Sequence, residues 1–346
     1  MCGVPAHAGD GYLSRLVKRG FRVAICEQMD NAKQAKATKK LVRREVVRVV
    51  SPGTLTDTAD LDAKEPAFLM ALTSNDLKHG VALVDLSTGE FTAAEYFGVD
   101  GRQAVADEIK VLRPREVIVS VDVDLRKELP ELEGSQVRVT KVDGWVFGLD
   151  RARTTLHEQL HATSLNGFGM EGHPAATMAA GALLHYLQDT QKVDLEHVRS
   201  ITYRSRADHI LIDPETFAHL EIFEGVNIKT NPSLLAEIDR TITPMGARKL
   251  RDCFQRPSNV LERVQDRLDS VEELAFRTTE RTKLQSILKE VHDLERLVAR
   301  VALGRAGPRD LVALKQSISM IPHVRSLLSD LKAPLIRSQL GRLDDV

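Results

Sequence analysis

The chain has 346 residues, of which 42% are hydrophobic, 28% are charged and 4% are aromatic. This length fits two or three domains, and the hydrophobic fraction is sufficient for packed cores built mainly from aliphatic side chains. The formal net charge of −1 excludes a protein that binds nucleic acid or membranes through its overall charge, so any such surface must be local.

The cysteines and the hydropathy pattern favour a reducing compartment. Cys2, Cys26 and Cys253 are odd in number and form no Cys-x-x-Cys pair, which argues against a disulfide framework or a zinc ribbon. No apolar run is long enough to span a bilayer, and the N-terminus lacks the pattern of a signal peptide. We therefore expect a cytoplasmic protein with no membrane partner.

The first region, residues 1–57, predicts one helix and two strands. An apolar stripe favours a helix over 11–20, and Phe21–Cys26 and Val46–Val50 are strand candidates, the second ended by Ser51-Pro52-Gly53. The stretch that leads into and includes the second strand contains one acidic residue, Glu45, and seven cationic ones: Lys33, Lys36, Lys39, Lys40, Arg43, Arg44 and Arg48. It is the strongest local signal for DNA binding, and a solvated charged loop is the alternative.

The second region, about 64–197, predicts alternating strands and helices, which favour a layered α/β domain. Its elements are a strand at 80–86 (GVALVDL), a turn at 87–90, a returning strand at 91–96, a helix at 101–112, a strand at 116–121 and an alanine-rich helix at 175–188.

The third region, 198–346, predicts helices. Its apolar residues follow the alternating three- and four-residue steps of long packed helices, in two runs: Leu261, Val264, Leu268, Val271 and Leu274, and then Leu284, Ile287, Val291, Leu294, Val298 and Val301. We expect a charge network within and between these helices, rather than a site, from Asp293, Glu295, Arg296 and Arg300.

Two short motifs carry possible chemistry. His157-Glu158-Gln159-Leu160-His161 matches H-E-x-x-H, in which both histidines bind Zn²⁺ from one helix face. No third ligand stands at a familiar spacing, and Ser164 replaces the glycine of the metzincin extension, so we predict a solvated helix and keep a zinc peptidase as an alternative.

The second motif is the strand and turn around Asp85, VDLSTG, which is typical of a ribonuclease-H-like fold. In nucleases of that fold an aspartate here binds Mg²⁺ together with other carboxylates, and Asp122 and Asp124 are conceivable partners. We take the motif as a fold signal and keep a nuclease as an alternative.

No G-x-x-x-x-G-K-[ST] occurs, so no backbone cradle for nucleotide phosphates is present. We predict that this chain has no catalytic residue, holds no metal or cofactor and is not an enzyme.

The chain contains two long, specific motifs near its start, MCGVPAHAGDGYLSRLVKRGFRVAICEQMD and LVRREVVRVVSPGTLTD. They resemble the second half of the mismatch-binding domain of the MutS family of DNA mismatch-recognition proteins. VALVDLSTGEF and LNGFGMEGHPAATMAAGALLHYLQDTQK resemble its connector domain, and LLAEIDRTITPMGARKLRDCFQRP and DLERLVARVALGRAGPRDL resemble its core helices. The resemblance covers the whole chain and is nearly ungapped.

The resemblance implies mismatch repair. The family's homodimers clamp mismatched double-stranded DNA and kink it at the mispair, which costs less to unstack and bend than a paired step. The full-length family uses ATP and Mg²⁺ in a distant domain and recruits MutL, and a bacterial, nucleoid-associated cytoplasmic location follows. At residue level it implies DNA contacts from Met1, Cys2, Gly3, Lys40, Arg43, Arg44 and Arg48.

The same resemblance predicts a multidomain α/β plus all-α protein. It has a partial mismatch-binding domain at 1–57, a ribonuclease-H-like α/β connector at 64–197 and a helical core running into the lever at 198–346. The family's Phe-x-Glu wedge lies upstream of residue 1, and its ATPase lies downstream of residue 346. We therefore expect a fragment whose residues 1–57 pack poorly in isolation. The alternative function is a protein-interaction module whose connector docks MutL without autonomous DNA binding.

Overall fold

The computed structural model describes residues 3–5, 8–29, 43–57, 60–75, 77–130, 137–225 and 232–343. The chain forms two compact units. The first comprises Met1–Leu61, Ala67–Ile109 and Arg113–Tyr203, and the second comprises Asp62–Pro66, Lys110–Leu112 and Arg204–Val346. The first two predicted regions thus share one unit, and that unit continues to Tyr203, six residues past the predicted boundary at 197.

The N-terminal part of the first unit is a helix over a two-stranded antiparallel sheet. Helix α1 (Gly9–Lys18) precedes strands β1 (Val23–Gln28) and β2 (Arg44–Val50), which confirms the predicted helix and both strands. A small core joins them, in which Val17, Val50 and Leu55 are buried and Leu13, Val23 and Ile25 pack against them. That residues 1–57 pack poorly in isolation stays a prediction.

A six-stranded mixed sheet forms the centre of the first unit, in the order β7-β6-β3-β4-β5-β8. Strands β3, β4 and β5 are antiparallel neighbours, whereas β6, β7 and β8 join in parallel. The bounds are β3 Phe68–Asn75, β4 Lys78–Asp85, β5 Glu90–Phe97, β6 Glu116–Ser120, β7 Val139–Val142 and β8 Thr202–Tyr203. The predicted hairpin is confirmed as β4 and β5 around the turn at 86–89.

Among the described residues, four helices alternate with these strands: α2 Gly98–Leu112, whose last three residues belong to the second unit, α3 Leu125–Glu128, α4 Leu149–Leu160 and α5 Pro174–Gln191. Helix α5 packs on β3, β4 and β5, and α4 packs on α5. The alanines of α5 allow this close layering, and a Cβ at Gly181 would lie 2.3 Å from the Cα of Ala152 in α4. The predicted alanine-rich helix is therefore a buried central helix.

Helix α5 begins against a buried carboxylate rather than a capping side chain of its own. Glu95 of β5 accepts hydrogen bonds from the backbone N–H groups of Ala175 (2.7 Å) and Ala176 (3.3 Å). The first N–H groups of a helix lack partners inside it, and a negative charge there also interacts favourably with the helix dipole. Glu95 therefore fixes the start of α5 on the sheet.

A second buried carboxylate joins β2 to the large sheet. Glu116, at the start of β6, is 1% exposed. One oxygen accepts hydrogen bonds from Ser51 Oγ and from the Gly53 N–H at 3.0 Å. The other accepts from Thr140 Oγ1 and from the Tyr186 hydroxyl at 2.9 Å. Four donors satisfy a group whose burial without partners would be strongly unfavourable.

The second unit contains nine helices among its described residues: α6 Pro214–His219, α7 Leu234–Ile238, α8 Pro244–Gln255, α9 Leu261–Phe276, α10 Thr278–Leu288, α11 Leu294–Ala302, α12 Pro308–Ser319, α13 Ile321–Leu328 and α14 Pro334–Leu340. The helical prediction is confirmed, but the prediction of long helices is wrong for the second apolar run. That run crosses a break at 289–293, where Asp293 accepts a hydrogen bond from the Arg296 N–H and caps α11.

The first apolar run does lie on one helix, α9, yet much of it faces solvent within its unit. Leu261 is 77% exposed and Val271 is 65% exposed. Heptad spacing identifies a helix that has an apolar stripe, but it cannot identify what covers that stripe.

The predicted charge network is confirmed, and it also holds the segment Asp62–Pro66. Arg248 of α8 forms a bidentate pair with Asp293 (2.7 and 2.8 Å) and donates to Glu295 (2.7 Å). Arg296 donates to the carbonyl oxygens of Asp62 (2.9 Å) and Glu65 (2.8 Å). The pKa of Arg248, which burial by itself lowers, is raised by its hydrogen bonds to the two carboxylates.

Within the described residues, no helix is sufficiently long and apolar to cross a membrane.

The Glu116 cluster predicts a large loss of stability on truncation. Glu116→Ala leaves the Gly53 N–H and three hydroxyls without their acceptor, which should lower the free energy of unfolding by about 3 kcal/mol. Thermal and urea unfolding followed by circular dichroism measure it. Glu171→Ala, at an exposed glutamate of the same unit, is the control and should change little; equal effects would contradict the role of Glu116.

Asp239 predicts an acid-sensitive contribution in the second unit. Burial by itself raises its pKa, but hydrogen bonds from Lys64 (2.7 Å) and Thr241 outweigh this and lower the pKa to about 2. A depressed carboxylate pKa stabilises the fold above about pH 4, and the contribution is lost as the pH falls toward about 2. Asp239→Asn should therefore lower the unfolding free energy by about 1 kcal/mol at pH 6, since Lys64 is exposed and screened. The difference from wild type should shrink near pH 2.5; a constant difference would contradict this assignment.

Candidate nucleic-acid interface

Two of the predicted DNA contacts, Arg43 and Arg44, lie at one end of the β1–β2 sheet. Met1, Cys2 and Lys40 lie outside the described residues. Gly3 is exposed, and a Cβ there would meet no heavy atom of the described residues within 4 Å. Packing among the described residues therefore does not require a glycine at this position.

Arg43 and Arg44 stand where β2 begins. Arg44 pairs with Gln28 across the sheet, and the Met29 N–H donates to the Arg43 carbonyl at 3.0 Å, which extends the ladder by one residue. The Arg43 side chain is 71% exposed and forms an ion pair with Glu45, and Arg44 is exposed. Two guanidinium groups are thus presented to solvent from a backbone that the sheet holds in place.

Arg48 has a different environment four residues along the same strand. The register shifts between Ile25 and Cys26, so that β2 contains a bulge, and Arg48 lies opposite Ile25. Cross-strand partners share a face, so Arg48 lies on the face that α1 covers. Burial lowers its pKa, while the negative charges of Asp10 and Asp57 act in the opposite direction. Its guanidinium is therefore balanced by carboxylates of its own unit.

The charge of this region differs from that of the whole chain. Residues 1–57 contain eleven Lys or Arg against five Asp or Glu, a formal charge of +6, whereas the whole chain carries −1. A local positive potential of this kind attracts phosphate groups and weakens as salt rises.

The two catalytic alternatives do not have the geometry that their chemistry needs. Both oxygens of Asp85 are engaged, one by the Ala67 N–H (2.9 Å) and the other by the Ser87 N–H (2.9 Å) and hydroxyl (2.6 Å). Helix α4 ends at Leu160, and His161 follows it in a left-handed conformation with φ 48°, so the two histidines do not share a helix face. No cluster of three metal-binding side chains occurs in the described part of the chain.

Sequence reasoning missed Glu116. The sequence predicts only that Glu116 begins a strand, because the groups that donate hydrogen bonds to its carboxylate lie between 24 and 70 residues away in sequence. The one available signal was a charged residue at the start of an otherwise apolar strand, EVIVS.

The two arginines of β2 predict different consequences of charge removal. Arg48→Met keeps a side chain of similar length but removes the positive charge that acts on Asp10 and Asp57, so the unfolding free energy should fall by about 1 kcal/mol. Arg44→Met, at an exposed position, should change it by less than about 0.5 kcal/mol. Urea unfolding of both variants measures this, and a larger loss for Arg44→Met would contradict the placement of Arg48.

Comparisons with known proteins agree with this architecture. MutS domain I matches residues 1–59, MutS domain II matches 67–199 and MutS domain III matches 215–344. The DNA mismatch repair protein MutS of Solibacter usitatus (strain Ellin6076) is 41% identical over 352 residues, which cover 100% of this chain and 40% of that protein.

Two further relatives bear the same name. The protein of Symbiobacterium thermophilum is 41% identical over 351 residues, covering 100% of this chain and 40% of that protein. The protein of Myxococcus xanthus is 38% identical over 350 residues, covering 99% of this chain and 38% of that protein. The chain thus spans about 40% of the length of the curated relatives it matches. It belongs to the MutS family and contains that family's domains I, II and III.

Proposed function

We propose that this chain binds double-stranded DNA in mismatch repair, as the DNA-reading and connecting part of a MutS clamp. The observation that carries the proposal is the exposed pair Arg43 and Arg44 at the start of β2, in a region of charge +6. Guanidinium groups form strong, often bidentate hydrogen bonds with phosphate. Membership of the MutS family supplies the class of substrate, mismatched duplex DNA.

Each predicted contact has a separate role in this proposal. Arg43 and Arg44 bind backbone phosphates and set the register of the protein on the duplex without reading sequence. Gly3, with Met1 and Cys2, lies where the backbone comes near the mispair, and Lys40 adds a further phosphate contact. Arg48 acts from the covered face of the sheet, where it orients β2.

The remaining parts of the proposal follow from the family. Domain II is a ribonuclease-H-like connector, and domain III is the helical core that leads into the lever. ATP and Mg²⁺ belong to the full-length family, which acts as a homodimer; this chain has no G-x-x-x-x-G-K-[ST] motif and is not itself an ATPase. A bacterial cytoplasmic location beside the nucleoid fits this role.

A second function is favoured by one feature of the connector. Trp145 is 59% exposed. The Arg151 guanidinium lies 5.9 Å from its ring centroid, and the His185 ring meets it edge-on with centroids 5.2 Å apart. Exposed tryptophan beside arginine is typical of protein-interaction hot spots. This surface suits docking of a MutL-type partner, with or without DNA binding by the same chain.

The test is a binding titration at low salt with G·T-mismatched and fully matched duplexes. Wild type should bind duplex DNA, and Arg43→Gln/Arg44→Gln should reduce the slope of log K against log salt by about 2, because each phosphate contact contributes about 0.9. Fluorescence anisotropy measures both quantities.

The matched control is Arg309→Gln/Lys315→Gln, which removes two exposed cations of α12 and should leave the slope unchanged. If the wild-type protein binds neither duplex, the proposed DNA binding is wrong and the protein-interaction function remains.

A further inference from the structure

Helix α1 presents a basic face that the β2 contacts do not include. Val17 is buried and Leu13 packs against the small core, so these residues mark the inner side of the helix. Tyr12, Arg15 and Arg19 are exposed. They follow one another at three- and four-residue steps, which place them along one side of a helix. The Arg15 guanidinium lies 4.7 Å from the Tyr12 ring centroid, within the range of a cation–π contact.

The C-terminal end of α1 gathers more positive charge. The helix ends in a Schellman motif, in which Phe21 N–H donates to Leu16 O (3.1 Å) and Gly20 N–H donates to Val17 O (2.7 Å). Gly20 has φ 90°, and a Cβ there would occupy the position of the Arg138 guanidinium. The backbone conformation thus favours a glycine here, and the missing side chain leaves room for the Arg138 guanidinium.

Arg138, which precedes β7, donates to the carbonyl oxygens of Arg19 (3.3 Å) and Lys18 (3.4 Å). This guanidinium uses the free carbonyls that every helix leaves at its C-terminus. It remains exposed, and it lies at the same end of the helix as the Lys18 and Arg19 side chains.

The acid beside this cluster does not neutralise it. Asp60 forms an ion pair with Lys18 at 2.7 Å and accepts a hydrogen bond from Ser14. Arg115 is also close enough to act on Asp60 electrostatically. The Asp60 carboxylate therefore pairs with Lys18, whereas Arg15, Arg19 and Arg138 form no ion pair with a carboxylate within the described residues.

We propose that Arg15, Lys18, Arg19 and Arg138, the α1 basic surface, form a second phosphate-binding surface for duplex DNA. Several guanidinium groups and one ammonium, held by one helix and by the residue that caps it, suit phosphates along a backbone. The inference rests on the proposed DNA binding and adds residues outside β2. It assigns them positioning contacts that carry no sequence information.

Duplex DNA is favoured over an acidic protein segment by the surroundings of this surface. The same 57 residues carry the +6 charge and hold the Arg43 and Arg44 pair, and α1 and β2 share one small core. Two sets of cationic residues on one compact module, the Arg43 and Arg44 pair and the α1 basic surface, are suited to one extended polyanion. If the surface instead bound an acidic protein partner, removal of the α1 cations would leave the affinity for DNA unaffected.

The experiment compares Arg15→Gln/Arg19→Gln with wild type by fluorescence anisotropy on a matched duplex from about 50 to 300 mM salt. We expect the slope of log K against log salt to fall by about 1 to 2 and the affinity at the lowest salt to fall about tenfold. A G·T duplex should show the same change, because phosphate contacts do not depend on the mispair.

The matched control is Lys127→Gln/Arg153→Gln, which removes two exposed cations elsewhere in the first unit and should leave the slope unchanged. Circular dichroism melting of both variants shows that each is folded. If wild type binds DNA and the α1 variant retains the wild-type slope, this surface is overturned while the proposed function stands. If wild type binds no duplex, the proposed function fails and this surface fails with it.

Discussion

The buried carboxylate of Glu116 is the interaction on which the first unit depends. The N-terminal module of α1, β1 and β2 has a small core, in which Val17, Val50 and Leu55 are buried. Glu116 attaches the end of this module to the large sheet through Ser51 and Gly53, and to β7 and α5 through Thr140 and Tyr186. The strand that begins at Arg44 is therefore fixed at its far end by a residue more than 70 positions away in sequence.

The second unit is likewise held by buried charged side chains, which here are arginines rather than a glutamate. Arg248 and Arg296 are 8% and 3% exposed; Arg248 donates to carboxylates, and Arg296 donates to backbone carbonyls. Buried charges are tolerated only with complete partners, and their directional bonds fix a chain segment more sharply than apolar packing does. Here the fixed segment is Asp62–Pro66, which in sequence separates two parts of the first unit, Met1–Leu61 and Ala67–Ile109.

Local pattern predicted the elements well and their partners poorly. The hairpin of β4 and β5, the stop at Ser51-Pro52-Gly53 and the alanine-rich helix α5 are encoded within a few residues, so periodicity and turn chemistry identified them. The break at 289–293 was missed, because apolar steps continue across it while Asp293 caps a new helix. The covered position of Arg48 depends on a bulge, and the donors of Glu116 lie in a loop, in β7 and in α5, so no local pattern records either.

The candidate interface was likewise predicted from the sequence only in part. The sequence identified a basic region, but it could not separate the exposed Arg43 and Arg44 from Arg48, which a bulge places on the covered face. In the proposed function the class of ligand is taken from the family, whereas the placement of each cation comes from the fold. Because β2 and α1 share one small core, both sets of cations belong to the same module.

Hydrogen exchange across residues 44–57 tests the central role of Glu116 most directly. The account predicts a gradient, with strong protection of the amides near Gly53, where the loop is bound to Glu116, and weak protection near Arg44, where the sheet has only two strands. Uniformly strong protection along the whole stretch would contradict the account. So would exchange of the Gly53 amide at the rate of an unstructured peptide.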